Sequence, residues 1–345
     1  VLADKLADRF DLHVLTWAGR AAGDRGSKWG YYLNPLTHLR AAADRPAKPG
    51  RLPVHTAGVC LPVAEGVLGR YPPDWALAPT QWLFRRSVRR LHRRLRFDAV
   101  VTAPSHRLTG YPPPLPGAGV VFDYLDLLPD AVEAGYVRAA DRIVTVSHTL
   151  ADRVRGRHGR PATVVPNGVH PDRIRRADPG RARLRWGLGD RPVVSLIGLT
   201  CSRRLYFVDA LVRVRAAVPG LVFVGVGDGP VLAPLADKCR AAGLPHVLTG
   251  WVDPEEVADL FAASDVGLYP GDDTPYYGGA SPIKVLEYLA ARVPVVANLA
   301  AELVRLKLSG VTTCPATADA FAEGIRQALT RRPPEFPDMT EYAWD

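Results

Sequence analysis

Short apolar runs rich in valine recur along the chain at Leu12–Trp17, Ala99–Thr102, Gly119–Asp123, Arg142–Ser147 and Thr163–Pro166, and again at Val193–Ile197, Leu221–Val226, His246–Thr249 and Val266–Tyr269. Runs without polar alternation are the pattern of strands covered on both faces, and such strands belong to parallel sheets. Segments of helical spacing lie between them in the second half, at Tyr206–Val218, Val231–Ala242, Pro254–Ala263 and Ala318–Leu329. Val1–Phe10 reads as an amphipathic helix feeding the first strand. The alternation predicts an α/β chain with doubly wound sheets. It breaks at Pro166-Asn167-Gly168-Val169-His170-Pro171, followed by the charged stretch Asp172–Arg191, which sets a boundary between domains at 1–170 and 171–330. Ala18–Thr80, loaded with glycine, proline, tryptophan and tyrosine, reads as a long insertion.

Length agrees with two domains, since 345 residues exceed one ordinary core. With 47% apolar and 23% charged residues the composition is that of a water-soluble globular protein, and no apolar run reaches membrane-spanning length. Cys60, Cys201, Cys239 and Cys314 are far apart and show neither CxxC nor a Cys/His ligand spacing, which points to a reducing cytoplasm. The net charge of +9, carried mostly by arginine, is compatible with an anionic substrate, an anionic membrane surface or nucleic acid.

Part of that charge sits on one predicted helix. Phe84, Val88, Leu91 and Leu95 follow helical spacing while arginines fill the other faces from Arg85 to Arg96. One reading is peripheral contact with an anionic membrane through Arg85–Arg96. The other is a solvated helix whose narrow apolar stripe covers its own sheet, and the narrowness of the stripe favours it. Nucleic acid is not expected, because no recognition fold or aromatic platform accompanies the arginines.

The stretch most suggestive of chemistry is Gly278-Gly279-Ala280-Ser281-Pro282-Ile283-Lys284 with Glu287 following. Ser281 is expected to cap a helix with Pro282 in its first position. Two glycines before a helix N-terminus let an anion approach backbone N–H groups, placing a phosphate near Ser281 and hydroxyls near Glu287. An ordinary surface helix with an incidental Lys284/Glu287 pair is the competing reading. Gly198-Leu199-Thr200-Cys201-Ser202-Arg203-Arg204 leaves another strand, and its two arginines suit a diphosphate clamp or, equally, a solvated loop. Gly225-Val226-Gly227-Asp228-Gly229 lacks the GxGxxG spacing of a nicotinamide site and lies inside the second domain. His106, Asp123 and Asp126 follow first-domain strands and are weaker candidates.

Several segments together resemble the retaining glycosyltransferases of the GT-B fold, family 4. They are Ala140–Ser147, Val164–Val169, Phe223–Gly229, Gly250-Trp251-Val252 with Ala263–Val266, and Ser281–Ala291 with Pro294–Val296. The resemblance implies two doubly wound Rossmann-like domains facing across a cleft. It implies transfer of a sugar from a nucleotide diphosphate sugar, held mainly by the second domain, to a small-molecule or glycolipid acceptor held mainly by the first. It implies no metal and no cofactor beyond that donor. Carried over residue by residue, it makes Arg203, Arg204 and Lys284 the cations at the leaving diphosphate. Gly198, Gly227, Trp251, Val252, Gly278, Gly279, Ser281, Ile283 and Glu287 become the donor site, and His106, Asp123 and Asp126 the acceptor side.

This chain departs from the pattern in places. Gly279 stands where the first of two paired glutamates is usual, so the match is to the subgroup with Ser-Pro-x-Lys before the helix. Gly198-Leu199-Thr200 replaces Gly-Arg-Leu, and Leu125-Asp126 replaces a histidine-aspartate pair. A first strand with its glycine loop is expected to precede Val1, and residues 331–345 resemble the start of a helix crossing back to the first domain. The activity implied is a cytoplasmic glycosyltransferase, peripheral at the inner membrane face if Arg85–Arg96 docks there. The alternative is a non-catalytic nucleotide-sugar binding or regulatory protein of the same fold.

Overall fold

The computed structural model describes residues 9–16, 54–56, 74–103, 111–199, 201–272, 279, 281–331 and 335–344. Most of the expected helix Val1–Phe10 and of the interval Ala18–Thr80 lies outside the described residues. The chain divides into two compact units, one of residues 1–145 and 154–163, the other of 146–153 and 164–345.

In the first unit, strand β1 (Val14–Thr16) pairs in parallel with β2 (Val54–Thr56). Helix α1 (Asp74–Leu95) leads to a four-stranded sheet of β3 (Ala99–Thr102), β4 (Gly119–Tyr124), β5 (Arg142–Thr145) and β6 (Thr163–Val164), in that spatial order. Helix α2 (Asp130–Ala139) precedes β5 and helix α3 (His148–His158) follows it, with residues 148–153 of α3 assigned to the second unit. β2 falls inside the stretch read as an insertion, so that stretch contributes a strand. In α1, Val88, Leu91 and His92 are buried while Arg86, Arg89, Arg90, Arg93 and Arg94 are exposed. His92 reaches the Pro116 carbonyl at 3.1 Å and its ring lies 5.5 Å from Phe97, so the stripe is covered by its own unit.

The second unit opens with two short helices, α4 (Pro171–Arg175) and α5 (Pro179–Arg185). It continues through β7 (Val193–Ile197), α6 (Tyr206–Arg215), β8 (Val222–Val226), α7 (Leu232–Ala241), β9 (His246–Leu248), α8 (Pro254–Ala262) and β10 (Val266–Tyr269). It ends with α9 (Ile283–Ala290), β11 (Val295–Asn298), α10 (Ala301–Leu306), β12 (Val311–Cys314), α11 (Ala318–Thr330) and a 3-10 turn at Met339–Tyr342. The six strands form one parallel sheet ordered β12-β11-β10-β7-β8-β9. Alternate residues go to opposite faces: Val193 and Ile197 pack with α8 and α9, and Val194 and Leu196 with α6, α7 and α11. The period of two is what a doubly covered strand requires. Burying each such valine or leucine contributes about 1.5–3 kcal/mol.

The charged stretch Asp172–Arg191, which follows the expected boundary, contains α4 and α5, and both pack against α8. Arg181 reaches the buried Asp259 at 2.6 Å, Arg185 reaches Glu256 at 2.6 Å, and Arg183 bonds the Ala263 carbonyl at 2.9 Å and Asp265 at 3.2 Å. Acids distant in sequence neutralise these arginines, so a local run of charge becomes a packed layer.

Candidate functional site

Three glycines close the carboxyl ends of β7, β8 and β9. Gly198 (φ +75°) donates to the Val226 carbonyl at 2.8 Å, Gly227 (φ +127°) donates to the Gly250 carbonyl at 2.9 Å, and Gly250 itself has φ +66°. Each sits in the left-handed region that an L side chain reaches only at a cost of about 1–2 kcal/mol. A Cβ on Gly227 would stand 3.4 Å from the Leu199 amide nitrogen. Bare backbone therefore forms the rim of the sheet at this point.

Lys284, in the first turn of α9, lies over that rim. A Cβ on Gly198 would meet its Cε at 3.3 Å. The ammonium is 2.7 Å from Glu287 Oε2, one turn along the helix, and 5.6 Å from the centre of the Phe261 ring. Lysine and glutamate side chains are 39% and 22% exposed, so the pair gains little net energy and either partner is available to a ligand.

Tyr288 holds the helix there. Its hydroxyl donates to the Ser195 carbonyl at 3.0 Å, accepts from Ile197 N–H at 3.1 Å and lies 2.9 Å from Ser195 Oγ. Its ring occupies the space a Cβ on Gly267 would need and packs edge-on against Phe261. Burial pushes its phenol well above the ordinary tyrosine range, so it stays neutral. Sequence reasoning passed over this residue. Its signal was a tyrosine on the lysine's own helix and a lone serine, Ser195, inside an otherwise apolar strand.

The loop after β7 is braced from β10. Ser202 N–H donates to the Pro270 carbonyl at 2.8 Å, and Arg204 Nη2 reaches Asp272 Oδ1 at 3.0 Å. Asn298, at the end of β11, accepts from Gly271 N–H at 3.1 Å and donates to the Asp272 carbonyl at 3.2 Å. Arg203 is exposed and, among the described residues, has no carboxylate partner. The two adjacent arginines thus differ, one committed to Asp272 and one open to solvent. Burial, with Asp272 adding to it, pushes the Cys201 thiol up to about 11, which leaves it protonated and unreactive.

The start of α9 differs from expectation. Ser281 does not cap it: Pro282 takes the cap position with ψ 88°, and among the described residues no side chain closes the helix end. The Pro282 carbonyl already accepts from Val285 N–H at 2.9 Å, so helical bonding begins one residue later than the serine would set. The Ser281 carbonyl is engaged by Asn167 Nδ2 at 3.1 Å. Gly279 is buried; its carbonyl accepts from Ser147 Oγ at 2.7 Å, and a Cβ on it would press on Leu150 Cδ2 at 3.2 Å. Leu150 thus crowds the position at which the resemblance led to the expectation of a glutamate.

Of the remaining candidates, Val252 is buried, while Trp251 and Ile283 are 72% and 38% exposed. Asp123 is half-buried in the first unit, and burial raises its carboxyl above the usual range. Asp126 is exposed. Gly278 and His106 lie outside the described residues. Among the described residues no set of three His, Cys, Asp or Glu side chains is placed to hold a metal ion, and no helix is long and apolar enough to cross a membrane.

Residues 192–331 match the family model described as glycosyl transferases group 1. A putative teichuronic acid biosynthesis glycosyltransferase, TuaC of Bacillus subtilis, is 28% identical over 195 residues, covering 55% of this chain and 47% of its own. The GDP-mannose-dependent alpha-(1-6)-phosphatidylinositol monomannoside mannosyltransferase of Mycobacterium tuberculosis is 32% identical over 209 residues, covering 56% and 53%. The chain spans about half the length of the curated relatives it matches. Sucrose-phosphate synthase from Thermosynechococcus elongatus superposes on the fold with a TM-score of 0.65 at 17% identity, covering 99% of this chain and 83% of that one. The likeness extends to both Rossmann-like domains, which is the GT-B fold.

Proposed function

Residues 192–331 form a glycosyl transferases group 1 domain, and from that premise we infer that the chain transfers a sugar from a nucleotide diphosphate sugar to a small-molecule or glycolipid acceptor. Residues 171–330 would bind the donor and residues 1–170 the acceptor, with His106, Asp123 and Asp126 as acceptor-side candidates. The observation that carries the reading is Lys284 lying over Gly198, with Glu287 one turn further on. A diphosphate set against the bare rim of Gly198 and Gly227 meets the lysine and the first-turn N–H groups of α9, while Glu287 accepts from ribose hydroxyls.

Cleavage of the bond between the anomeric carbon and the diphosphate sends the electron pair onto a phosphate oxygen. Lys284, Arg203 and the α9 dipole then stabilise a charge that grows only in the transition state. Arg204 joins them if it exchanges Asp272 for the phosphate. The acceptor hydroxyl adds on the face the diphosphate leaves, its proton passing to that phosphate, so the anomeric configuration is retained. These cations take the role a divalent metal plays elsewhere, so the reaction is proposed to be metal-independent. The cytoplasm, where nucleotide sugars are made, is the proposed location, with Arg85–Arg96 resting on the anionic inner face of the membrane if the acceptor is a glycolipid.

The mannosyltransferase relative makes GDP-mannose and a phosphatidylinositol-based glycolipid the first pair to try. Thermal-shift screening against UDP, GDP, ADP and dTDP sugars identifies the donor, and release of its nucleotide diphosphate with acceptor measures transfer. A sugar donor that binds and is never turned over with any acceptor would replace this reading with the non-catalytic one.

A further inference from the structure

A second concave site lies on the same domain, and Lys284 is not among the residues that line it. A cavity of about 460 Å³ is lined by His170, Arg173, Arg176, Arg181, Glu255 and Asp259, among others. None of the candidate donor residues borders it. Its volume falls in the range of small-molecule sites. Small side chains at Ala177 and Ala258 keep it open between α4 and α8.

Two of its three acids are already matched. Asp259 is 2% exposed; one oxygen accepts from Asp178 N–H at 2.7 Å and the other from Arg181 Nε at 2.6 Å. Asp172 is paired with Arg175 on its own helix. What remains is Arg173 on α4 and Arg176 just past its end, both exposed, against Glu255 alone. Among the described residues neither arginine has an ion-pair partner. Two open guanidinium forks at the rim of a cavity match a phosphate, whose oxygens take paired N–H donors. Glu255 adds an acceptor suited to hydroxyl groups.

We propose that this cavity is an accessory site for a small phosphate ester carrying hydroxyls, a sugar or polyol phosphate, held by Arg173 and Arg176 with Glu255 on its hydroxyls. The chemistry is the same whether the ester is free or the headgroup of a lipid. The site is independent of the donor reading and stands whether or not Lys284 binds a diphosphate.

The test uses the full chain with Lys284→Ala, which removes the donor-site lysine as a competing phosphate ligand. Glucose 1-phosphate and inorganic phosphate are titrated calorimetrically, and vesicles of phosphatidylcholine with and without phosphatidylinositol are assayed by flotation. Adding Arg173→Ala and Arg176→Ala should weaken the responding probe roughly tenfold or more, the loss expected for charge-assisted hydrogen bonds. Both arginines are exposed, so folding should be preserved; Ala258→Phe, which fills the cavity, should block the same probe provided its melting transition is intact. A response to glucose 1-phosphate identifies a soluble ligand, and a response to vesicles alone identifies a lipid headgroup. Absence of binding to either probe overturns the proposal, as does binding that the double arginine variant leaves unchanged.

Discussion

Lys284 runs along the open face of Gly198, its Cε 3.3 Å from where a Cβ would stand. The first strand of the second domain and the helix after its fourth strand therefore meet at one point, and the contact exists because residue 198 has no side chain. The left-handed turn that ends β7 and the passage of the lysine are two demands on one glycine.

Gly198→Ala should separate those demands. The backbone conformation alone costs about 1–2 kcal/mol, which lowers the melting temperature by a few degrees. The methyl also displaces the lysine, so the donor KM should rise. Gly187, at φ +59° with nothing within 4 Å of its Cβ position, is the control. Gly187→Ala should show the same loss of melting temperature with no change in KM, and equal kinetics in the two variants would remove the lysine from the explanation.

Lys284→Ala should reduce turnover about a hundredfold, the effect of losing one preorganised donor to a leaving group, while protein stability changes little because the ion pair is half-exposed. Glu287→Ala should act mainly on donor KM. Steady-state kinetics on one donor check both. Unchanged constants in both variants would sink the assignment of this helix to the donor.

The sheet of the second domain was legible because strands covered on both faces are apolar at every position, as Val193–Ile197 and Val266–Tyr269 show. Polar groups whose partners are remote in sequence were not. Arg181, Arg183 and Arg185 read only as a run of charge at a boundary because Asp259, Asp265 and Glu256 lie some seventy to eighty residues on. Ser281 read as a cap because local rules make it one, whereas its carbonyl is tied to Asn167, and the Gly279 carbonyl to Ser147, over long separations. Lys284 and Glu287 were legible as a pair because helical spacing is local; the hydroxyl of Tyr288 behind them finds its partners on another strand.

Tyr288→Phe tests whether that anchoring matters to the site. The ring stays on Gly267, but Ile197 N–H and the Ser195 hydroxyl lose a buried partner, at a cost of about 1–3 kcal/mol. Calorimetry should show a lower melting temperature. Because α9 is then less firmly held against β7, donor KM should rise more than kcat falls. A stability loss with unchanged KM would reduce Tyr288 to a core residue.

Glu302 gives a pH dependence with a definite sign. Its buried carboxylate accepts from His148 N–H at 2.9 Å, His148 Nδ1 at 3.0 Å, Thr149 N–H at 2.9 Å and Thr149 Oγ1 at 2.7 Å, closing the N-terminus of α3. Burial alone would raise its carboxyl, but the donations from Thr149 and His148 outweigh that and hold it below the usual range. A depressed native value means the unfolded chain binds the proton more readily, so the contribution is complete above about pH 5, falls once pH drops below the unfolded value near 4.3, and is gone below the native value. Glu302→Gln should therefore be less stable than the parent at pH 7 and nearly equal to it in strong acid, with denaturant midpoints converging as pH falls. A difference that stays constant across that range would mean the carboxylate charge contributes nothing and the side chain acts through its shape alone.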